Sequence, residues 1–274
     1  MRWFSEVFVY LLVTLPAVAQ SHAFAKVTIR PAGSVDPRTM RMQVLPNGDL
    51  IANAVPVILL LSYAYDVPVD PSPRLSGLPN WAISERYDIE GKAIINAVTP
   101  GLDDSDLRVR IQREIRGLLA DRFSLAMRVE NKSMSIYALT VARGGSKLQK
   151  SAITTKDCIF DTDPKGCHNF VPGFGHPLNA NAADMDDLAH YISNWTDLPV
   201  VNRTSLRGLF TLQTEGWSPM RLPPPPPNTP PDVNPFAGLP TIFTVLGKLG
   251  LELTREQDIL PVYMVKSIER PATN

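Results

Sequence analysis

Residues 120–143 read ADRFSLAMRVENKSMSIYALTVAR, and residues 247–270 read GKLGLELTREQDILPVYMVKSIER. A chain that states one pattern twice constrains its fold more than any composition does, because each copy must bury the same faces in the same order. The correspondence extends upstream. Leu50, Ala52, Asn53, Ala54 and Tyr63 match Leu178, Ala180, Asn181, Ala182 and Tyr191 at one constant offset. Phe210 and Leu212 stand in the roles of Tyr87 and Ile89, and a helix from about Thr241 to Lys248 replaces one starting near Asp103. Phe123, Leu125, Met127, Glu130 and Tyr137 then match Leu249, Leu251, Leu253, Glu256 and Tyr263 in fixed register. The expected fold is α+β, built of two pseudo-repeated strand-helix-strand-helix-hairpin units with antiparallel-rich sheets.

The elements follow from periodicity. Val55, Leu59, Ser62/Tyr63 and Asp66 read as too evenly spread for a solvated helix face, so the helix they occupy is expected to be largely covered. Pro68, Pro71 and Pro73 end it. Tyr87, Ile89 and Gly91 alternate with charged residues, as in a half-buried strand. Leu107, Ile111, Ile115, Leu118 and Leu119 form a helical stripe, with Arg110, Arg113 and Arg116 opposite; those arginines read as a solvated face rather than an anion-binding ridge. Leu125, Met127 and Val129 alternate, Asn131-Lys132-Ser133 reads as a turn, and Tyr137, Leu139 and Val141 alternate again, which predicts a local hairpin.

The division of the chain is then a leader (1–25), a first repeat (26–146), an irregular cysteine-containing insertion (147–177) and a second repeat (178–274) with a proline-rich loop (218–240). Pro223 to Pro227 must be extended and reads as a stiff surface connector. In the leader, Arg2 precedes an apolar run from Phe8 to Val18, and Ala17-Val18-Ala19 and Ala23-Phe24-Ala25 are cleavage signatures. The run is shorter than the ~20 residues a spanning helix needs. The protein is therefore expected to be periplasmic or secreted, with cleavage after Ala19, Ala23 or Ala25 and retention as an anchor the alternative. Lys+Arg and Asp+Glu both number 27, so no basic excess points to nucleic acid.

Chemistry is sparse. The chain has no H-E-x-x-H, G-x-S-x-G, S-x-x-K or glycine-rich phosphate motif. Cys158, Cys167, His168 and His176 could hold zinc, but the spacing lacks a tight cysteine pair, and export favours a Cys158–Cys167 disulfide. No cofactor is expected. Asp157, Asp161, Asp163, Asp184, Asp186 and Asp187 follow no calcium-loop pattern; the last three suit a helix N-terminus. His190 reads as a surface or packing histidine, and Trp81, Trp195 and Trp217 as core or seam residues.

Four blocks, LLLSYAYDVP, SGLPNWAISERYDIEGKA, LLADRFSLAMRVENKSMSIYALTVARGGSKLQ and VVNRTSLRGLFTLQTEGW, resemble successive blocks of the bacterial soil-associated protein family, an exported domain of unknown function. Asn202 and Ser205 depart from the usual Asp and Gly, and Gly77-Leu78-Pro79 replaces Gly-Gly-Pro. The resemblance implies export and a shared fold. Some members are fused to antibiotic-receptor-type membrane metallopeptidase modules, which suggests a sensory-accessory role. The leading expectation is a non-enzymatic binding or sensory-accessory module of the cell envelope, with an envelope protein or small ligand as partner. The alternatives are a structural envelope protein and an unrecognised hydrolase with a site between the repeats, for which Asp88 or Glu90 with Arg86 and Tyr87 are the candidates.

Overall fold

The computed structural model describes residues 24–33, 40–45, 47–69, 72–94, 104–154, 158, 160–161, 166–221 and 235–272. The proline run at 223–227 and most of the leader lie outside the described residues.

The chain is a mixed α/β structure with antiparallel-rich sheets and, among the described residues, five helices. β1 (Phe24–Pro31), β2 (Arg41–Val44) and β3 (Leu50–Pro56) precede α1 (Val57–Tyr65). A short β4 (Leu75–Ser76) and α2 (Asn80–Ser84) lead to β5 (Arg86–Ala93). α3 (Asp104–Phe123) feeds β6 (Ala126–Val141). The insertion contributes β7 (Gln149–Lys150) and β8 (Phe160–Asp161), and the second half supplies β9 (Ala180–Ala183), α4 (Met185–Ser193), β10 (Val200–Asn202), β11 (Phe210–Leu212), α5 (Ile242–Lys248) and β12 (Leu251–Ser267).

The strands form three sheets, in the orders β1-β5-β3-β2-β8, β10-β6-β12-β4 and β7-β11-β9. Among the described residues, two large apolar cores result, with a smaller cluster of Cys158, Cys167, Ala182 and Leu209. One gathers Ile29, Leu50, Leu60, Leu61, Ile89, Ile115 and Phe123; the other gathers Leu139, Leu178, Leu188, Ile192, Trp217 and Leu246. Phe24, the first residue of β1, is buried in the first core although the leader was assigned through residue 25. The insertion is not isolated: Phe160 and Asp161 of β8 pair with Val44 and Gln43 of the first half, and β7 pairs with β11 of the second.

The expected local hairpins do not form. β6 runs unbroken through Asn131-Lys132-Ser133, and β12 is likewise one strand; the two pair antiparallel along their whole length. Asn131, Lys132 and Ser133 all keep negative φ, so the backbone conformation that a tight hairpin turn demands is absent. Met127 lies opposite Val265, where the local hairpin would have put Tyr137; Tyr137 lies opposite Arg255. The long ladder gives a sixteen-residue strand one continuous partner, where a hairpin would give two five-residue arms. The ribbon therefore threads both cores. Met127 of β6 packs on the first and Leu139 sits in the second, while in β12 Leu251 belongs to the second and the strand runs on to Ile268 against the first.

Candidate functional site

α1 and α4 face one another where the halves meet. The face of α1 expected to be merely covered is instead one wall of a cavity of about 300 Å³, with Val55 from the end of β3, Leu59, Ser62 and Tyr63 from α1, and Asp66 at its C-cap. Leu59, Ser62, Tyr63 and the cap residue Asp66 recur every three or four positions, so they share one side rather than being spread around the helix. Asp187, His190, Tyr191 and Asn194 of α4 form the opposite wall.

A bulge aims the first wall. The β3–β5 register shifts between Ala52 and Val55, and Ala54 takes φ 52°. Asp88 Oδ1 accepts the Ala54 N–H (2.8 Å), and Arg86 Nη1 donates to the Ala54 carbonyl (3.2 Å). The strand bends there and delivers Val55 to the cavity. Asp88 and Arg86 are thus engaged with the backbone of β3. Arg86 and Tyr87 also line a separate depression of about 400 Å³, which Asp88 and Glu90 do not reach. There the Tyr87 hydroxyl donates to Glu85 (2.9 Å), and Glu85 is held by Arg270 (2.7 Å). Its polar groups satisfy one another.

The seam cavity differs because a charge cluster is buried beside it. Asp184 caps α4, its Oδ1 accepting the Asp187 N–H (2.8 Å), while Asp187 Oδ2 accepts the Asp184 N–H (2.8 Å). This reciprocal box explains the acidic residues at the helix start. Arg108 of α3 reaches across the seam, and its Nη2 donates to Asp184 Oδ2 (2.8 Å) and Asp187 Oδ1 (2.5 Å). His168 Nδ1 lies 2.7 Å from Asp187 Oδ2 and 3.0 Å from Arg108 Nη2. Burial alone would raise the Asp187 carboxyl, but Arg108 and His168 hold it well below the usual range. Burial and the neighbouring Asp187 charge push Asp184 up to about 6 against the pull of Arg108. Burial alone would lower Arg108, yet the two carboxylates keep its guanidinium firmly protonated.

The insertion supplies His168. Cys158 and Cys167 form a disulfide with Cα atoms 5.5 Å apart, within the normal span. Cys167 then fixes the adjoining His168, which adopts φ 60° and donates its N–H to the Ala182 carbonyl (2.7 Å). His176 goes elsewhere and stacks on Trp195, with ring centroids 3.5 Å apart. The two sulfurs and two imidazoles weighed for zinc therefore do not converge. His168, Asp184 and Asp187 do offer three ligand atoms within 4.8 Å of one another. The cation between their carboxylates is the Arg108 guanidinium, and a metal ion would have to displace it.

Other sequence candidates have structural partners. Arg110 pairs with Glu114 (3.1 Å), and Arg116 donates to the Ala64 carbonyl (2.6 Å) at the end of α1. Trp217 is fully buried in the second core, and Arg270 lies over Trp81 at 5.1 Å. His190 is more than a surface residue, because its Nδ1 meets Asp66 Oδ1 (2.9 Å) at the rim. Asn194 Oδ1 accepts the Val69 N–H (3.0 Å) and ties the same rim. Sequence reasoning missed Arg108, although a signal existed. Arg108 precedes Ile111 by three residues and Gln112 by four, so a cation lies on the apolar stripe of its helix.

A family described as a protein of unknown function (DUF3738) matches residues 58–268. The chain belongs to this family. The DUF3738 match includes the cavity lining apart from Met40, Met42 and Val55, and it includes Arg108, His168, Asp184 and Asp187. No curated protein and no solved structure matches the chain. Among the described residues, no helix is long and apolar enough to cross a membrane.

Proposed function

We propose that this chain is a non-enzymatic binding or sensory-accessory module of the cell envelope that holds a small ligand between α1 and α4. The observation that carries the reading is the seam cavity of about 300 Å³, mostly apolar in lining and backed by a buried, internally compensated charge cluster. A fragment screen by protein-observed NMR tests it. Hits should perturb Phe170 and Tyr191 and disappear in Leu59→Trp, which fills the space. Hits that scatter over the surface, or survive that substitution, would sink it.

The finer parts of the reading are the soil-associated family, export and internal duplication. The four sequence blocks support the first. The disulfide fits an oxidising compartment and so supports export. Cleavage after Ala19 or Ala23 would leave β1 whole, whereas cleavage after Ala25 would remove the buried Phe24. N-terminal sequencing of the mature protein separates these. The duplication draws support from the ribbon. Ser133 pairs with Ile259, and the interval between them is the one that separates Phe123 from Leu249 and Tyr137 from Tyr263. Both tyrosines start a parallel pairing with a short strand. The Tyr137 N–H donates to Pro199 (2.8 Å) beside β10, and the Tyr263 N–H donates to Arg74 (2.7 Å) beside β4. In these terms the two units have opened their hairpins and exchanged strands about an axis at Ser133 and Ile259. A crystal structure whose halves superpose only with Tyr137 moved off Tyr263 ends that reading.

The hydrolase reading rests on the His168–Asp187 pair, which has the form of an oriented base. It is weaker, because the nearby Ser62 hydroxyl donates to the Val67 carbonyl (2.6 Å) and both carboxylates are held by Arg108. Ester or amide turnover that disappears in His168→Asn, with the fold intact, would reverse the order of the two readings.

A further inference from the structure

Among the described residues, two donors beside the cavity are buried without acceptors: the Tyr63 hydroxyl and Arg108 Nε. Both residues line the cavity. A buried orphan donor costs the fold about 1–3 kcal/mol, so two at one site call for an explanation. The rest of the wall is largely apolar, with Met40, Met42, Leu59, Val69, Phe170 and Tyr191.

The charge balance narrows the occupant. The Arg108 guanidinium is already matched by Asp184 and Asp187, and His190 is paired with Asp66 at the rim. An incoming carboxylate or phosphate would meet Asp66 and Asp187 on the wall, with the nearest arginine committed to Asp184 and Asp187. An ammonium group would have to compete with Arg108 for the same carboxylates. Either ion would lose its hydration without gaining an unmatched opposite charge. A neutral acceptor has no such penalty.

Size narrows it further. An engineered apolar cavity of about 150 Å³ holds benzene. The seam space, about 300 Å³, suits a two-ring body. We infer that the cavity binds a neutral, largely apolar molecule of about two fused rings that carries a hydrogen-bond acceptor such as a ketone oxygen, received by the Tyr63 hydroxyl with Arg108 Nε beside it. The inference rests on the cavity being a ligand site, as proposed above.

Four matched probes test it on the full chain at neutral pH: 1-tetralone, tetralin, 1-naphthoate and 1-aminotetralin, titrated by protein-observed NMR. In the unmodified protein 1-tetralone should bind about tenfold more tightly than tetralin, the worth of one well-made hydrogen bond, and more tightly than either ion. Tyr63→Phe should remove most of that preference and leave tetralin unchanged. Without ligand, Tyr63→Phe should melt no lower than the parent, since its hydroxyl has no internal bond to lose. Equal binding of tetralin and 1-tetralone, tighter binding of an ion, a preference that survives Tyr63→Phe, or a lower melting temperature in that variant would each overturn the acceptor inference while leaving the cavity a binding site. If none of the four probes perturbs the cavity residues at millimolar concentration, the binding reading itself falls.

Discussion

α1 and α4 present the same spacing to the same space, yet they are stabilised in opposite ways. α1 starts at Pro56 with no side-chain cap, carries no charge in its first turn and buries Val57, Leu60 and Leu61. It is held by apolar packing. α4 starts with a reciprocal Asp184–Asp187 box and places Asp187 where α1 has Leu59. A buried carboxylate at that position needs a cation, and Arg108 must come from the other half to provide one. The comparison teaches that two similar scaffolds can share a cavity while only one wall buries its charge. The charged wall is also the one that the disulfide-bearing insertion buttresses, through His168.

The largest expected effect tests that division directly. Arg108→Met leaves two buried carboxylates without their cation and should cost about 3–5 kcal/mol in urea unfolding. Arg116→Met, which removes an exposed α3 arginine from the Ala64 carbonyl at the end of α1, should cost about 1 kcal/mol or less. Equal losses would erase the distinction between the walls.

A second test uses pH. Asp184, raised to about 6, contributes stability that is full below its unfolded value near 3.8 and is lost as pH rises through about 6. Asp187, lowered in the fold, works in reverse: its contribution is present above 3.8 and disappears as pH falls. Asp184→Asn keeps an N-cap side chain. It should remove a decline of about 2–3 kcal/mol between pH 4 and 6.5 and leave the acid-side loss owed to Asp187. Unchanged stability profiles across that window would show that Asp184 is not the raised member of the pair.

Replacing both Cys158 and Cys167 by Ser should cost about 2–3 kcal/mol, from loop entropy alone. It should also loosen His168, seen as broadened imidazole resonances, while the α1 wall keeps its amide protection. The smallest effect is expected at the rim. His190→Gln removes a partly exposed pair with Asp66 and should cost less than about 1 kcal/mol, measured by thermal melting.

Much of the secondary structure was legible because single elements declare themselves. The α3 stripe, the alternation in β5, the start of α5 near Thr241 and the acidic start of α4 are local signals. The ribbon was not legible, for a physical reason. The segment Ala126 to Glu130 needs an alternating strand beside it, and both the segment after Ser133 and the end of β12 offer one. Alternation specifies which face is buried but not which segment supplies the neighbour. The site was legible only in parts. The acidic helix start was visible, but its cation lies 76 and 79 residues away in sequence, and spacing rules cannot reach that far. His168 was noticed for a different chemistry, as a zinc ligand, because its neighbour is a cysteine. The cavity was hidden for a third reason: Leu59, Tyr63 and Tyr191 look like ordinary packing residues until two helices fail to close on each other.

The unbroken β6–β12 ribbon has one more consequence. Each of its strands leaves one core and enters the other, so neither core owns a complete set of strands. No cut in the chain yields an independent half: a fragment ending after β6 would carry a sixteen-residue strand stripped of its partner, with both hydrogen-bonding edges open to aggregation. Heating should therefore give one calorimetric transition for the whole molecule, with a van't Hoff enthalpy close to the measured heat. Whatever settles between α1 and α4 would then raise the melting temperature of both halves together.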